Sequence, residues 1–237
     1  MEKLKGLDLE RKKVLDAGTG ACGMTKYLEN WGADVVSVDI NTEWQKECRD
    51  ETKKSQFLTA DLSNLSCIDD ESFDYVVCNF LVSALSQTKS LLISSVLREF
   101  KRILKNNGML VIIDYYPFDE ERCPVPCNNV QVELWRLENA ISEILGKGHL
   151  VEFSPDVIRD ELLSIGFKET DNSILLEQVP WPDDLLKEHE ETQLEDINSI
   201  EEDYLKEAFK KKLKELMDKA KEEEIKSGAI YELRAEK

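Results

Sequence analysis

Apolar residues in this chain fall into short unbroken runs that alternate with stretches in which they recur every three or four positions. Lys13-Val-Leu-Asp-Ala17, residues 33–40, 57–62, 72–80 and 109–114 read as strands, because runs without polar alternation suit strands buried on both faces. A helix is expected over residues 21–31. Another is expected from Ser86 to Lys105, where Leu91, Leu92, Val96, Leu97, Phe100, Ile103 and Leu104 share one face, with a stop at Asn106-Asn107-Gly108. Ser154-Pro155-Asp156 opens a further helix, with a capping serine and a proline at its first position, and Gly166 closes it. Two more strands are read at about Ser173–Gln178 and Ala229–Ala235. Strands and helices in alternation predict an α/β fold, a mostly parallel sheet with helices on both faces.

Two stretches exceed the connections that such a sheet needs. Residues 117–150 follow the fifth strand, and residues 180–227 separate the sixth from the seventh. The second is read as helical from about Ile197 to Ile225, with a stripe through Ile200, Tyr204, Leu205, Ala208, Phe209, Leu213, Leu216, Met217 and Ala220 that is wide enough to require a partner surface. Only about a dozen residues precede the first strand. Residues 1–237 are therefore expected to form one domain, with 117–150 as a lid or substrate region and 180–227 as a helical elaboration, a buttress or a homodimer arm.

Charge narrows the partners. A net charge of −18 disfavours nucleic acid, and the lysine-rich run Lys210-Lys211-Lys212-Leu213-Lys214 is flanked by Glu207 and Glu215, as on a solvated helical face. No apolar run approaches the ~18 residues of a membrane span, and acids in the first ten residues argue against a secretory signal, so a cytoplasmic location without membrane partners is expected. The six cysteines are scattered, which predicts reduced thiols. Cys123-Pro-Val-Pro-Cys127 has no second ligand pair at metal-site spacing, and no metal site is expected.

The candidate chemistry begins at residue 16. Gly18, Gly20 and Gly23 satisfy G-x-G-x-x-G, a pattern shared by several nucleotide-binding turns, but here the strand before them ends in an acid. A carboxylate two residues ahead of the first glycine would repel a pyrophosphate, so the turn suits a cationic ligand without phosphates, such as the amino group and sulfonium of S-adenosylmethionine. Asp39 ends the second strand, 21 residues beyond Gly18, where a carboxylate can accept ribose hydroxyls. Phe57-Leu-Thr-Ala-Asp61-Leu62 and Ser72-Phe-Asp-Tyr-Val-Val-Cys-Asn79-Phe80 follow in order. Together these segments resemble the class I S-adenosylmethionine-dependent methyltransferases.

That resemblance implies a Rossmann-like three-layer α/β/α sandwich whose seventh strand is antiparallel, a feature foreign to NAD-binding folds. It implies S-adenosylmethionine as cofactor and S-adenosylhomocysteine as product, held by Asp16, Gly18, Thr19, Gly20, Asp39, Ile40, Asp61, Leu62, Asn79 and Phe80. In the family pattern the acid at Asp61 holds the adenine amino group and the next residue packs on the ring. Asn79-Phe80-Leu81-Val82 departs from the Asn/Asp-Pro-Pro-Tyr/Phe of amino-group methyltransferases that act on DNA bases and some proteins, and this disfavours that subclass.

Methyl transfer is an in-line displacement that chiefly needs alignment. Candidate base or orienting groups are Asp114, Tyr115, Tyr116 and His149, near the fifth strand and its insert. The leading expectation is methylation of a small molecule. Methylation of a protein partner and a non-catalytic cofactor-binding subunit stand beside it.

Overall fold

The computed structural model describes residues 3–86, 91–118, 129–148, 151–168, 170–176, 180–223 and 225–237. Its centre is a seven-stranded sheet of β1 (Lys13–Ala17), β2 (Asp34–Asp39), β3 (Gln56–Thr59), β4 (Phe73–Asn79), β5 (Leu104–Tyr115), β6 (Thr170–Leu176) and β7 (Ile230–Glu236), in the order β3-β2-β1-β4-β5-β7-β6. The first five strands pair in parallel, while β7 inserts antiparallel between β5 and β6. This is the Rossmann-like sheet with one reversed strand that the family resemblance implies.

Helices α1 (Gly23–Asn30), α2 (Thr42–Glu51), α3 (Leu81–Ser86), α4 (Leu91–Ile103), α5 (Asn129–Ile144), α6 (Pro155–Ile165), α7 (Asp183–Asn198) and α8 (Asp203–Glu222) complete the described elements. The strands are apolar on both faces because each face has its own core. On one, Ile93, Val96, Leu97 and Phe100 of α4 and Ile158 and Leu162 of α6 pack on Leu15, Val76, Leu110 and Ile112. On the other, Met24 and Leu28 of α1 join Leu4 and Leu9 of the N-terminal segment over Val14, Val35, Val77, Val111 and Ile113. In α6, Ser154 precedes the helix, Pro155 opens it, and Gly166 closes it at φ 88°, the left-handed conformation glycine adopts without strain.

The structure changes several boundaries. Asn106-Asn107-Gly108 does not separate helix from strand: β5 starts at Leu104, directly after α4. Phe73 pairs with Leu104 and Tyr75 with Met109, so the extra residues are absorbed as a bulge, with Asn107 at φ 64°. β6 starts at Thr170, ahead of the expected Ser173. The acid-rich stretch after Pro182 is itself a helix, α7, whose buried Leu186 and Ile197 were too widely spaced to declare it.

The two inserts are partners of each other. Val130, Leu134, Leu137 and Ile141 of α5 meet Leu213, Leu216, Met217 and Ala220 of α8, and Leu186 and Ile197 of α7 close the same cluster. Lys212 donates to Glu133 across the α5/α8 seam at 2.5 Å. Leu213, Leu216, Met217 and Ala220 of the α8 stripe are thus covered from within the chain, while Tyr204 at its start stays exposed. The cysteine reading also needs correction, because Cys22 and Cys48 form a disulfide. Cys22 precedes α1 and Cys48 lies on α2, so their meeting depends on how these two helices pack.

Candidate active site

The glycine turn leaves β1 at its C-terminal end, where ligands of open α/β sheets bind. Gly18 (φ 84°) and Gly20 (φ 45°) lie in the left-handed region, and Gly18 N donates to Val38 O at 2.8 Å, tying the turn to β2. A Cβ on Gly18 would meet Leu81 Cδ1 at 3.2 Å, whereas one on Gly20 would project into open space. Gly20 is therefore the point at which the backbone can be approached closely.

Asp16 lies wholly buried beneath this turn. Its Oδ2 accepts from Thr25 Oγ1 at 2.5 Å and Ser37 Oγ at 3.1 Å, while Oδ1 has no partner among the described residues. Thr19 turns its hydroxyl inward to Ser37 Oγ at 2.7 Å, leaving only its backbone for a ligand. Burial pushes the Asp16 carboxyl up to about 7, although the Thr25 and Ser37 hydrogen bonds pull the other way. A buried carboxylate with one orphan oxygen calls for a cation nearby. That requirement fits the amino group of S-adenosylmethionine and not a pyrophosphate.

Asp39 spans the cleft between the turn and β2. Its Oδ2 accepts from Gly20 N at 3.1 Å and its Oδ1 from Asn41 N at 2.8 Å. Ile40 beside it is 72% exposed, an aliphatic surface on which a flat ring can lie. Asp61 Oδ1 accepts from Ser63 N and Ser63 Oγ, at 2.8 and 2.7 Å, and these hydrogen bonds hold its carboxyl below the usual range. Leu62, read from the family pattern as a ring contact, turns into the core at 8% exposure.

At the end of β4, Asn79 Oδ1 accepts from Lys3 Nζ at 3.0 Å. Phe80 holds φ 58°, a conformation that costs a non-glycine residue about 1 kcal/mol or more and often marks a functional site. This backbone turn brings the Phe80 ring onto Tyr115, with centroids 4.6 Å apart, and Lys3 Nζ lies 5.3 Å from its centroid. The N-terminal segment is pinned here by Leu4 N, which donates to the buried Glu232 Oε2 at 2.9 Å. Burial lowers the Lys3 ammonium pKa.

The candidate base residues separate. Asp114 is buried and accepts from Ser83 N at 3.0 Å and Tyr115 N at 2.9 Å, so it anchors the start of α3; burial raises its carboxyl pKa. Tyr116 points into the core, edge-on to Tyr231 at 5.2 Å. Its neighbour Tyr115 takes the opposite direction, as strand alternation requires. His149, Cys123 and Cys127 lie outside the described residues.

Tyr115 instead lines a cavity of about 190 Å³ between the end of β5, the start of β7 and the helical inserts. Phe118, Trp135 and Trp181 form further walls, and Glu138, Glu152 and His189 supply its ionisable groups. Trp135 Nε1 donates to Glu152 Oε1 at 3.1 Å, and burial raises the pKa of both glutamates. Sequence reading passed over Glu138, Glu152 and His189. One signal was present: Gln131, Trp135 and Glu138 recur at helical spacing on a face of α5 that also carries Leu134.

The fold and the turn define a nucleoside-cofactor-binding α/β protein whose sheet contains the reversed strand β7. Residues 15–112 match the family model described as "Methyltransferase domain". The chain is 26% identical over 131 residues to a demethylmenaquinone methyltransferase of Thermotoga maritima, covering 54% of this chain and 55% of the relative. It is 26% identical over 104 residues to a malonyl-[acyl-carrier protein] O-methyltransferase of Hamiltonella defensa, covering 44% and 38%. The chain thus spans about half the length, or less, of these curated relatives. Among solved structures, the YcgJ protein of Bacillus subtilis superposes at TM-score 0.60 with 16% identity, covering 96% of this chain and 92% of that one. A SAM-dependent methyltransferase from Archaeoglobus fulgidus does so at 0.59 with 14% identity, covering 97% and 88%. The match to a methyltransferase domain thus covers residues 15–112, less than half of the chain, on a fold shared with S-adenosylmethionine-dependent methyltransferases of known structure.

Proposed function

We propose that this protein transfers a methyl group from S-adenosylmethionine to a small molecule. The observation that carries the reading is Asp16, whose orphan carboxylate oxygen lies beneath a turn that leaves Gly20 open to a ligand. In this reading Gly18, Thr19 and Gly20 present backbone to the methionyl part and Asp16 balances its ammonium. Asp39 releases Gly20 N and Asn41 N to take the ribose hydroxyls. Ile40 packs on the adenine and Asp61 receives its amino group. Asn79 and Phe80 border the methyl group. The cofactor, when bound, supplies an electrophilic methyl; the chain supplies alignment and a pocket that tolerates the loss of positive charge.

The small-molecule reading is supported by the cavity beside Tyr115, lined by residues of both inserts. The names of the curated relatives point the same way: their acceptors are a quinone and an acyl-carrier-bound malonyl group.

Calorimetric titration with S-adenosylhomocysteine and with NAD tests the cofactor assignment. Micromolar binding of the first and none of the second is expected, and Asp16→Asn should weaken S-adenosylhomocysteine sharply. Binding of NAD alone would overturn the reading.

A further inference from the structure

The cavity beside Tyr115 has an electrostatic imbalance. Glu138 and Glu152 both face it, yet no lysine or arginine stands among its described lining residues. Glu152 is held by Trp135 Nε1, while Glu138 has no hydrogen-bond or ion-pair partner among the described residues. Carboxylates in a largely apolar cavity demand a counter-cation or take up protons, and burial raises the pKa of both. The aromatic walls offer the other half of a cation site, because ring faces attract ammonium groups. Phe118 and Trp135 lie 5.7 Å apart, and Tyr115 and Trp181 complete the aromatic surface. His189 adds no positive charge, since burial lowers its pKa.

We propose that this cavity is the acceptor subsite and that the acceptor is a small aliphatic amine, bound as its ammonium ion between the aromatic walls and the carboxylates of Glu138 and Glu152. About 190 Å³ gives room for about six water-sized groups, enough for a short-chain amine. Phe80 connects the two halves of the site, bordering Asn79 on one side and stacking on Tyr115 on the other. The proposal rests on the methyltransferase reading and specifies its substrate class.

Glu138 accepts one proton from the bound ammonium, leaving a neutral amine. The nitrogen lone pair then forms the new N–C bond as the S–C bond of the donor breaks, with that electron pair remaining on sulfur. The products are an N-methylated ammonium and a neutral thioether. Glu152, fixed by Trp135, offsets the positive charge on nitrogen before and after the transfer.

The test uses three probes of one shape and different charge: tetramethylammonium, tert-butanol and pivalate, titrated into the cofactor-free full chain and followed by ligand-observed NMR. Tetramethylammonium should saturate at least tenfold more tightly than tert-butanol, and pivalate should not bind. Glu138→Gln and Glu152→Gln should each weaken the cation at least tenfold and leave tert-butanol unchanged. Should Glu152→Gln not fold, Glu138→Gln carries the test, because its carboxylate supports no described contact. Equal binding of the alcohol, binding of pivalate, or cation affinity indifferent to both variants would overturn the proposal. S-adenosylhomocysteine calorimetry on the same samples separates the two claims. Cofactor binding without cation selectivity removes the amine acceptor and leaves the methyltransferase, whereas cation selectivity without cofactor binding removes the methyltransferase and with it the acceptor role.

Discussion

Phe80 and Tyr115 stack with centroids 4.6 Å apart and planes 21° apart, at the ends of the adjacent parallel strands β4 and β5. The contact joins the glycine-turn side of the molecule to the cavity beneath the helical inserts. It depends on the left-handed backbone of Phe80, whose N–H donates to Ile113 O at 2.8 Å and so pins the turn to β5. Under the proposed function the cofactor and the acceptor lie on either side of this aromatic pair, and variants can be chosen to affect either alone.

Asp39→Ala should separate the cofactor side. Its carboxylate touches Gly20 N and Asn41 N across the cleft, and in the proposed complex it accepts charge-assisted hydrogen bonds from the ribose. Such bonds contribute about 1.5–3 kcal/mol each, so S-adenosylhomocysteine affinity should fall roughly 100-fold with tetramethylammonium binding unchanged. Calorimetry checks both.

Asp16 gives a pH signature. Its folded-state pKa is raised from 3.8 to about 7 by burial, so the folded state holds a proton that the unfolded state has already released. Its contribution to stability is fully present below about 4 and is lost as pH rises to about 7, a loss on the order of a few kcal/mol. Asp16→Asn should remove that part of the slope. Denaturant titrations of both proteins from pH 4 to 8 should show the variant gaining on the parent as pH rises; parallel curves would refute the buried titration.

The Cys22–Cys48 disulfide closes a loop with a sequence separation of 26 residues, for which chain entropy assigns about 3–4 kcal/mol. Reduction, or Cys48→Ser, should lower the melting temperature by several degrees. Because Cys22 follows the glycine turn, S-adenosylhomocysteine affinity should fall with it. Thermal melts with and without reductant, on protein whose thiols have been counted by mass spectrometry, decide the point.

Gly228→Ala should act on the acceptor side. An added Cβ would lie 3.0 Å from Phe118 Cζ, so the Phe118 ring, a wall of the cavity, would have to shift. Overpacking of this kind costs about 1–3 kcal/mol. Tetramethylammonium affinity should drop at least fivefold with S-adenosylhomocysteine affinity held within twofold. An equal loss of both would mean that the damage is global.

The parallel core and its glycine turn were legible because their signals are local. A buried strand must be a continuous apolar run, and a close backbone approach needs glycine at Gly20. The same local signs led astray at Asn106-Asn107-Gly108, where a stop-like tripeptide is absorbed as a bulge in β5. They also left open which way Leu62 and Tyr116 turn, and the structure places both side chains in the core.

By itself, the sequence determined the α/β class, the reversed last strand through family resemblance, and the placing of Asp16, Gly18, Gly20 and Asp39 at the ends of β1 and β2. Only the tertiary structure decided that the two inserts pack on each other, that Cys22 reaches Cys48, and that Glu138 and Glu152 converge on the aromatic walls beside Tyr115. The reason is the range of the information. Periodicity and turn chemistry act within a few residues of chain, whereas Glu138, Trp181 and Gly228 meet only after helices distant in sequence have buried their apolar faces against one another.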